Sequence, residues 1–278
     1  MSETHASKKT IPQKSFFGLP VPIIFAHRGN SGEYPENTLP SFQSAVEIGA
    51  PVLETDTRIT KDGVPVLAHD PSLLRTTGVD AHVEDLTLKE VKEMDAGYAF
   101  SPDDGETHPF RGTGIQVPTL EEFVRTFTDI PVNMEIKAGT EQSAKIVLDV
   151  LESNNALDRF LLASVLPDAM RYIQKNKPTT LTGACKEDVL RVLFRSARCD
   201  RKVRDYPFTA LQVPERQSII PVVTRRFISY AHKHGLHVHV WTIDEESDMR
   251  RLFYMGADGI FTDHPGRALA ILEERRTA

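Results

Sequence analysis

The fold is indicated first by residues 22–60, PIIFAHRGNSGEYPENTLPSFQSAVEIGAPVLETDTRIT. Two apolar, strand-like runs flank a polar loop and an amphipathic stretch that begins at a plausible Asn37 cap and stops near Gly49. This order predicts two parallel strands joined by a right-handed helical crossover. The first strand ends in His27 and Arg28, so its tip is either a strand reaching the surface or part of a functional site.

The same alternation continues along the chain. Further strand-like runs are separated by amphipathic stretches, of which residues 139–155 place Ala144, Val147, Leu148 and Leu151 at helical spacing. Eight strands, nearly all followed by a helix, predict an α/β fold of the (β/α)8 TIM-barrel class. A doubly wound sheet is the competing fold, but it usually has fewer strands and a Gly-rich phosphate loop, which the sequence lacks. The eight predicted strands are residues 22–29, 51–60, 131–137, 159–165, 179–185, 208–214, 236–244 and 258–265.

The domain organisation predicted from this pattern is an N-terminal extension, 1–22, and one barrel domain, 23–278. An insertion after the second strand, about residues 61–118, interrupts the alternation. It opens with a predicted hairpin whose turn is Asp62–Gly63 and ends in a loop rich in Gly, Pro and Asp. Long loops in compact domains are usually functional or disordered, so this one could cover a site.

Composition places the chain among ordinary globular proteins, with 278 residues, 40% hydrophobic and 26% charged. A net charge of -6 without a basic patch gives no indication of nucleic-acid binding. Two cysteines favour a reduced compartment, and neither a signal peptide nor an apolar membrane span is evident. We expect a cytoplasmic protein with a small-molecule substrate and no transmembrane segment; peripheral contact with lipid stays open.

Carboxylates cluster at the predicted strand ends. Glu54 and Asp56 are two residues apart and share a strand face, as do Glu135 and Lys137. The carboxyl ends of the strands carry the chemistry of barrel enzymes. Three converging carboxylates would repel one another unless a cation neutralised them, and oxygen ligands favour Mg²⁺ or Ca²⁺. The alternative is an exposed strand face or a structural ion-pair network.

His27 and His69 are the acid–base candidates, because histidine titrates near neutral pH. His69 closes the predicted hairpin, which could bring it over the barrel mouth. Arg28 and Lys137 could hold an anionic group, and arginine suits bidentate phosphate recognition. A lone histidine at a strand end is more often structural, so these assignments depend on the residues acting together.

A second histidine group, His232, His234, His237 and His239, resembles a metal-binding tract. The first two fall at a helix end, where the helix dipole favours cations, and the others share a strand face with Trp241. We therefore expect no metal there. We expect Trp241 to line the substrate site, with a place in the core as the alternative.

These motifs together resemble the glycerophosphodiester phosphodiesterase family over about residues 23–267. The most specific block is residues 26–78, AHRGNSGEYPENTLPSFQSAVEIGAPVLETDTRITKDGVPVLAHDPSLLRTTG. Weaker matches are VPTLEEF, VNMEIK, VHVWTID and GADGIFTDHPG. Ser164–Val165 departs from the Ser-Phe often found in the family, which puts an aromatic substrate contact in doubt.

The resemblance implies a (β/α)8 barrel that hydrolyses glycerophosphodiesters to sn-glycerol 3-phosphate and an alcohol. By position, Glu54, Asp56 and Glu135 resemble the divalent-metal ligands. His27 and His69 resemble the general acid–base pair, and Arg28 and Lys137 resemble the phosphate contacts.

Several alternatives remain open from the sequence. The resemblance favours attack by the glycerol hydroxyl to give a cyclic phosphate, but the residues do not separate this from direct attack by water. A lysophospholipase D would share the chemistry and need an apolar groove or a membrane-facing loop, for which residues 98–110 are too polar. A barrel that only binds a glycerophosphodiester is the third alternative, although binding alone requires no acid–base pair.

Overall fold

A computed structural model describes residues 17–200 and 202–277 of the chain. Within them, eight parallel strands lie side by side in the order β6-β5-β4-β2-β1-β11-β10-β7. These strands are β1 (Ile23–Ala26), β2 (Val52–Ile59), β4 (Val132–Ile136), β5 (Phe160–Ala163), β6 (Leu181–Thr182), β7 (Ala210–Pro214), β10 (His237–Trp241) and β11 (Gly259–Thr262). All eight strands predicted from the sequence are therefore confirmed.

The two ends of this sheet meet through a short junction between β6 and β7. Gly183 and Ala210 form a parallel bridge, and the Thr209 N–H donates to the Thr182 carbonyl at 2.8 Å. The Ala184 N–H donates to the Ala210 carbonyl, also at 2.8 Å. The predicted (β/α)8 class is confirmed, with a barrel that closes over only a few residues at this junction.

Helices follow the barrel strands and cover them from outside. They are α1 (Leu39–Glu47), α4 (Leu120–Thr126), α5 (Glu141–Ser153), α6 (Pro167–Asn176), α7 (Lys186–Ala197), α8 (Arg225–Lys233), α9 (Glu246–Met255) and α10 (Pro265–Thr277). Outward-facing strand residues pack against the helices in two clusters; Leu53 and Met134 lie in one, Ile24 and Val238 in the other. Period-two alternation along each strand thus gives a helix-facing layer and a barrel interior.

The predicted Asn37 cap of α1 is wrong. Thr38 caps the helix, because its hydroxyl accepts the Ser41 N–H, while Asn37 lies in the left-handed region at φ 54°. Asn37 instead turns its side chain towards β2, where its amide NH2 donates to Asp56 at 3.1 Å. Asparagine and threonine are both good cap residues, so local preference alone did not separate them.

The insertion opens with the predicted hairpin. β3 (Pro65–Leu67) pairs antiparallel with β2, and Gly63 occupies the turn at φ 83°. Two short helices follow, α2 (Leu74–Thr77) and α3 (Leu88–Lys92), with a 3-10 turn, Val83–Asp85, between them. A second hairpin, β8 (Arg216–Gln217) and β9 (Ile220–Pro221), extends from the carboxyl end of β7.

The barrel interior is apolar towards the amino ends of the strands. Phe25 stacks on Phe261 with ring centroids 4.5 Å apart and contacts His239 at 4.7 Å. Above this layer the Gln212 amide donates to Asn133 at 2.5 Å, joining β7 to β4 across the barrel. Asp56 and Glu135, which pair in register, lie beyond these layers and nearer the carboxyl ends of β2 and β4.

Of the predicted N-terminal extension, residues 1–16 lie outside the described residues. Phe17 and Leu19 pack against the apolar interior cluster that contains Ile23 and Phe25. The division into an extension, one domain and an insertion stays a prediction. Among the residues that the structure describes, no helix combines the length and apolar character needed to cross a membrane.

Candidate active site

The carboxyl ends of β1, β2 and β4 bring most of the predicted site residues together. Asp56 lies opposite Glu135 in the parallel register of β2 and β4. His27 and Arg28 follow β1, whose neighbour on one side is β2. His27 Nε2 lies 4.0 Å from a Glu54 carboxylate oxygen, and Lys137 Nζ lies 3.0 Å from Asp56. The convergence expected at the carboxyl end of a barrel is therefore present.

The backbone after β1 is shaped to serve this cluster. Arg28 has φ 56°, in the left-handed region that is uncommon for residues with a side chain. This conformation lets its N–H donate to Glu54 at 2.9 Å. Gly29 follows at φ 90°, and a Cβ there would lie 2.7 Å from the Ser41 carbonyl carbon. Only glycine fits this close approach, which explains the Gly of the His-Arg-Gly motif.

Asp56 is the most heavily compensated carboxylate of the site. It is buried, with Lys137 Nζ at 3.0 Å, Arg28 Nε at 3.3 Å and the Asn37 amide at 3.1 Å. Burial alone would raise the pKa of Asp56, but the charges of Lys137 and Arg28 outweigh it and lower the pKa to about 2. Both His27 and His69 are near enough to contribute to this lowering. Asp56 is therefore the fixed negative charge around which the site is assembled.

The pKa of Glu54 is shifted in the opposite direction from that of Asp56. Burial, together with the charge of Asp56, raises the pKa of Glu54 to about 7, although His27, Arg28 and the Arg28 N–H oppose the shift. Two carboxylates on one buried strand face cannot both be ionised without cost. Additional positive charge beside Glu54 would relieve this imbalance.

His27 is oriented by a carboxylate from the far end of the chain. Its Nδ1 lies 2.6 Å from an oxygen of Asp263, which follows β11 and also accepts the Ser31 hydroxyl at 2.8 Å. The Asp263 N–H donates to Asp244 at 2.9 Å. Burial alone would lower the pKa of His27, but Glu54 and the bond to Asp263 outweigh it and raise the pKa above 6.5.

His69 is also bound to a carboxylate, but its pKa is shifted in the opposite direction from that of His27. It follows β3, and its Nδ1 lies 2.7 Å from Asp70. Burial lowers the pKa of His69, Lys137 and Arg28 add to the effect, and Asp56 and Asp70 do not overcome it. The site thus contains two carboxylate-bound imidazoles, one of raised and one of lowered pKa.

The predicted metal ligands differ in their surroundings. Glu135 accepts from Lys137 at 2.7 Å, and the same ammonium contacts Asp56, so Lys137 bridges the two carboxylates. Within residues 17–200 and 202–277 no group of three His, Cys, Asp or Glu side chains has a metal-holding arrangement. The donor set is nonetheless all oxygen, and the raised pKa of Glu54 indicates a shortage of positive charge. The residues fit a hard divalent cation by their chemistry, and the Lys137 ammonium supplies part of the compensating charge in this arrangement.

The predicted phosphate contacts are also engaged by carboxylates. Arg28 Nη1 donates to Glu36 at 2.9 Å, and its Nε faces Asp56 without a well-directed hydrogen bond. Both cations, Arg28 and Lys137, are mostly buried at the base of the mouth, which positions them to meet an anion entering from solvent.

Trp241 ends β10 and is 43% exposed, consistent with a place at the rim of the mouth. The other histidines are held elsewhere. His232 Nε2 lies 2.8 Å from Asp258, and His234 Nδ1 lies 2.7 Å from the Tyr230 carbonyl. His239 is buried in the barrel interior, and burial lowers its pKa to about 3.

Sequence reasoning missed five residues that hold the site: Glu36, Asn37, Asp70, Arg75 and Asp263. Four lie inside motifs that the sequence displays, PENT, HDP and TDHP, next to residues that were singled out. Arg75 lies farther along, on α2. Some partners are distant in sequence, such as His27 for Asp263, and others are near, such as His69 for Asp70. The motifs could mark these residues as unusual but could not show what each one binds.

Comparison with known proteins gives a consistent result. The model of the glycerophosphoryl diester phosphodiesterase family matches residues 27–267. A glycerophosphodiester phosphodiesterase from Caldanaerobacter subterraneus subsp. tengcongensis is 32% identical over 87% of this chain and 94% of its own. A lysophospholipase D from Rattus norvegicus is 26% identical over 86% of this chain and 82% of its own.

Among solved structures, an Oleispira antarctica phosphodiesterase in complex with the product sn-glycerol-3-phosphate superposes with a TM-score of 0.75. It is 25% identical and covers 91% of this chain and 97% of its own. Residues 27–267, which the family model matches, contain every residue of the cluster described above.

The bond between Asp263 and His27 yields a prediction about protonation. Asp263→Asn keeps the side-chain shape but removes the charge that favours the imidazolium, so the pKa of His27 should fall. Measurement is by NMR titration of the His27 imidazole in EDTA-treated protein. Asp258→Asn is the matched control: it should lower the pKa of His232 and leave that of His27 unchanged. An unchanged His27 pKa in Asp263→Asn would contradict the assigned role.

Proposed function

Because the chain belongs to the glycerophosphoryl diester phosphodiesterase family, we propose that it hydrolyses glycerophosphodiesters to sn-glycerol 3-phosphate and an alcohol. The observation that carries the proposal is the pair of carboxylate-bound histidines, His27 and His69, placed around a buried cluster of anions and cations. Hydrolysis of a phosphodiester requires that a proton be removed from the attacking oxygen and that a proton be supplied to the departing oxygen. The product bound to the Oleispira antarctica relative supports the same substrate class.

The opposite pKa shifts support a division of roles between the histidines. His27, whose pKa is raised, is suited to carry a proton and to donate it to the departing alcohol oxygen. His69, whose pKa is lowered, is suited to accept the proton of the attacking hydroxyl. Environments that separate the pKa values of two groups in this way are typical of acid–base pairs. Attack by the glycerol hydroxyl and direct attack by water use these residues equally well.

Arg28 and Lys137 are proposed to hold the phosphate. The guanidinium can contact two oxygens at once, and the ammonium supplies a point charge. Both cations now contact carboxylates, so an entering phosphate would share them with Asp56, Glu36 and Glu135. The rim residue Trp241 is proposed to contact the substrate outside this charged centre.

We further propose that Glu54, Asp56 and Glu135 hold one divalent cation, Mg²⁺ or Ca²⁺. When bound there, the cation would act as a Lewis acid on a phosphate oxygen. Burial of Glu54 and Asp56 would keep water from competing for the carboxylate oxygens.

The unpaired state of the two cysteines, Cys185 and Cys199, supports the cytoplasmic location expected from the sequence.

A second candidate function is that of a lysophospholipase D, and one feature of the mouth supports it. The tip of the β8–β9 hairpin carries Ile219 and Ile220, which are 83% and 61% exposed. This hairpin follows β7 and provides an apolar loop that residues 98–110 do not. The Rattus norvegicus relative carries the name lysophospholipase D.

The proposed activity is tested by choline release from glycerophosphocholine and from lysophosphatidylcholine. We expect turnover of glycerophosphocholine and little of the lysolipid, because the mouth is mainly polar. Faster release from the lysolipid would favour the lysophospholipase D, and Ile219→Ser/Ile220→Ser should then reduce that rate selectively. Tight binding of glycerophosphocholine without release from either substrate would favour the non-catalytic barrel.

The cation site is tested with Glu54→Gln. The substitution removes a buried charge next to Asp56, so it should leave the melting temperature in EDTA unchanged or raised. Parent protein should melt at a higher temperature when Mg²⁺ or Ca²⁺ is added, since a ligand of the folded state stabilises it. The variant should lose most of this increase and most of its activity.

The control for the cation site is Glu187→Gln on the exposed surface, which should behave as the parent. An equal metal-induced increase in the parent and in Glu54→Gln would show that the cation binds elsewhere.

The division between the two histidines is tested by turnover of His27→Ala and His69→Ala on two substrates. Each variant should lose about 100-fold or more on glycerophosphocholine, the usual scale of general acid–base catalysis. The double variant should be little worse than the worse single variant, since the residues act as a unit. A nitrophenyl ester needs little protonation on departure, so it should restore rate to His27→Ala and not to His69→Ala.

The exposed His82 provides the control variant His82→Ala, which should retain parental rates. Equal losses on both substrates, in both variants, would reduce the two histidines to positioning residues.

A further inference from the structure

Arg75 connects two loops of the mouth that no strand pairing joins. It lies on α2, in the insertion, and its side chain is 50% exposed. Its Nη1 and Nη2 donate to the two oxygens of Glu36 at 2.5 and 2.7 Å. Its Nε donates to Asp70 at 2.6 Å. One planar guanidinium therefore holds three carboxylate oxygens in a fixed arrangement, which is a geometry that arginine provides and lysine does not.

One arm of this clamp ends on His69. Asp70 uses one oxygen for the imidazole Nδ1, at 2.7 Å, and the other for Arg75. The orientation of the Asp70 carboxylate is thus set from both sides. Fixing Nδ1 in this way directs Nε2 of His69 away from Asp70 and determines which nitrogen can accept a proton.

The other arm ends on Arg28. Oε1 of Glu36 accepts from both Arg28, at 2.9 Å, and Arg75, at 2.7 Å. Burial would raise the pKa of Glu36, but the two arginines outweigh it and keep the carboxylate ionised. Arg75 shares the charge of Glu36, so that Glu36 positions Arg28 without fully neutralising it.

We propose that Arg75 is a positioning residue of the reaction, which acts on His69 through Asp70 and on Arg28 through Glu36. The inference rests on the proposed function, since it assigns roles to the residues at the two ends of the clamp. It also gives the insertion a function: α2 holds the general base and the phosphate-binding arginine in register with each other.

A merely structural role of Arg75 predicts that its loss lowers the melting temperature, whereas a positioning role predicts that its loss lowers turnover. Exposed ion pairs contribute little to the free energy of unfolding. Arg75 is half exposed, and Arg28 still pairs with Glu36 when Arg75 is removed, so the melting temperature should change little. Displacement of a catalytic group by about 1 Å costs about 100-fold in rate. Loss of Arg75 should therefore appear in turnover and not in stability.

The test compares Arg75→Met and Arg75→Lys with the parent on glycerophosphocholine. We expect kcat/KM to fall by about 10- to 100-fold in Arg75→Met. Arg75→Lys should recover only part of the loss, because lysine keeps the charge but cannot hold both carboxylates as a fork. The matched control is Arg171→Met, which removes an exposed arginine paired with Glu187 at 2.9 Å on the barrel exterior and should retain parental kinetics.

The two arms are separated by substitutions that cut one each. Asp70→Asn should lower kcat, because it releases His69, and Glu36→Gln should mainly raise KM, because it releases Arg28. In a His69→Ala background, Arg75→Met should produce no further loss of kcat, since residues that act through one another are non-additive.

The outcomes distinguish this inference from the proposed function. An inactive parent protein would overturn the proposed function itself. With an active parent, Arg75 variants that match Arg171→Met would overturn the inference, as would a full additional loss of kcat in the His69→Ala background. A loss that merely follows a lowered melting temperature or folded fraction in both Arg75 variants would also overturn it.

Discussion

The buried negative charge of Asp56 is the constraint on which the mouth of the barrel depends. An ionised carboxylate at the end of a buried strand is costly unless it is paired and hydrogen-bonded. Here the compensation comes from two loops: Lys137 lies after β4, and Arg28 and Asn37 both lie in the loop between β1 and α1. Both loops must approach the same carboxylate, so one charge fixes their positions relative to each other and to β2.

That requirement accounts for the unusual backbone after β1. Arg28 and Asn37 both adopt left-handed conformations, at φ 56° and 54°. Such conformations are costly for residues with a side chain and persist where surrounding bonds hold them. The Asn37 N–H donates to the Arg28 carbonyl at 3.0 Å, so the two strained residues also support each other. The polar loop at the end of an apolar strand is therefore part of the structure that compensates Asp56.

Sequence reasoning predicted the barrel because each strand and helix follows a local rule. Apolar runs separated by amphipathic stretches indicate parallel strands. The count and order of the eight strands were then enough to predict the barrel class. The same reasoning placed the α1 cap one residue early, because the side chain of Asn37 is used by β2, a contact that local preference does not contain. Pairs such as His27 and Asp263, 236 positions apart, could not be predicted from spacing. The sequence thus indicated which residues carry the chemistry, and the fold determines what holds them in place.

The charged and apolar parts of the mouth fall on different strands. Residues that hold or compensate charge lie on or after β1, β2, β3, β4 and β11. The exposed apolar side chains of Val165 and Ile219 follow β5 and β7, and that of Trp241 ends β10. A phosphodiester has one phosphate and two organic groups, and only the phosphate and the reacting oxygens require fixed charges. The charged half is braced by Asp56, Asp263 and Arg75. The loop after β10 is tied to it, because Asp244 accepts the Asp263 N–H at 2.9 Å, whereas the loops after β5 and β7 are unconstrained by the chemistry. Differences in substrate preference can therefore be built on those loops without disturbing the acid–base pair, because no described bond of the charged cluster passes through them.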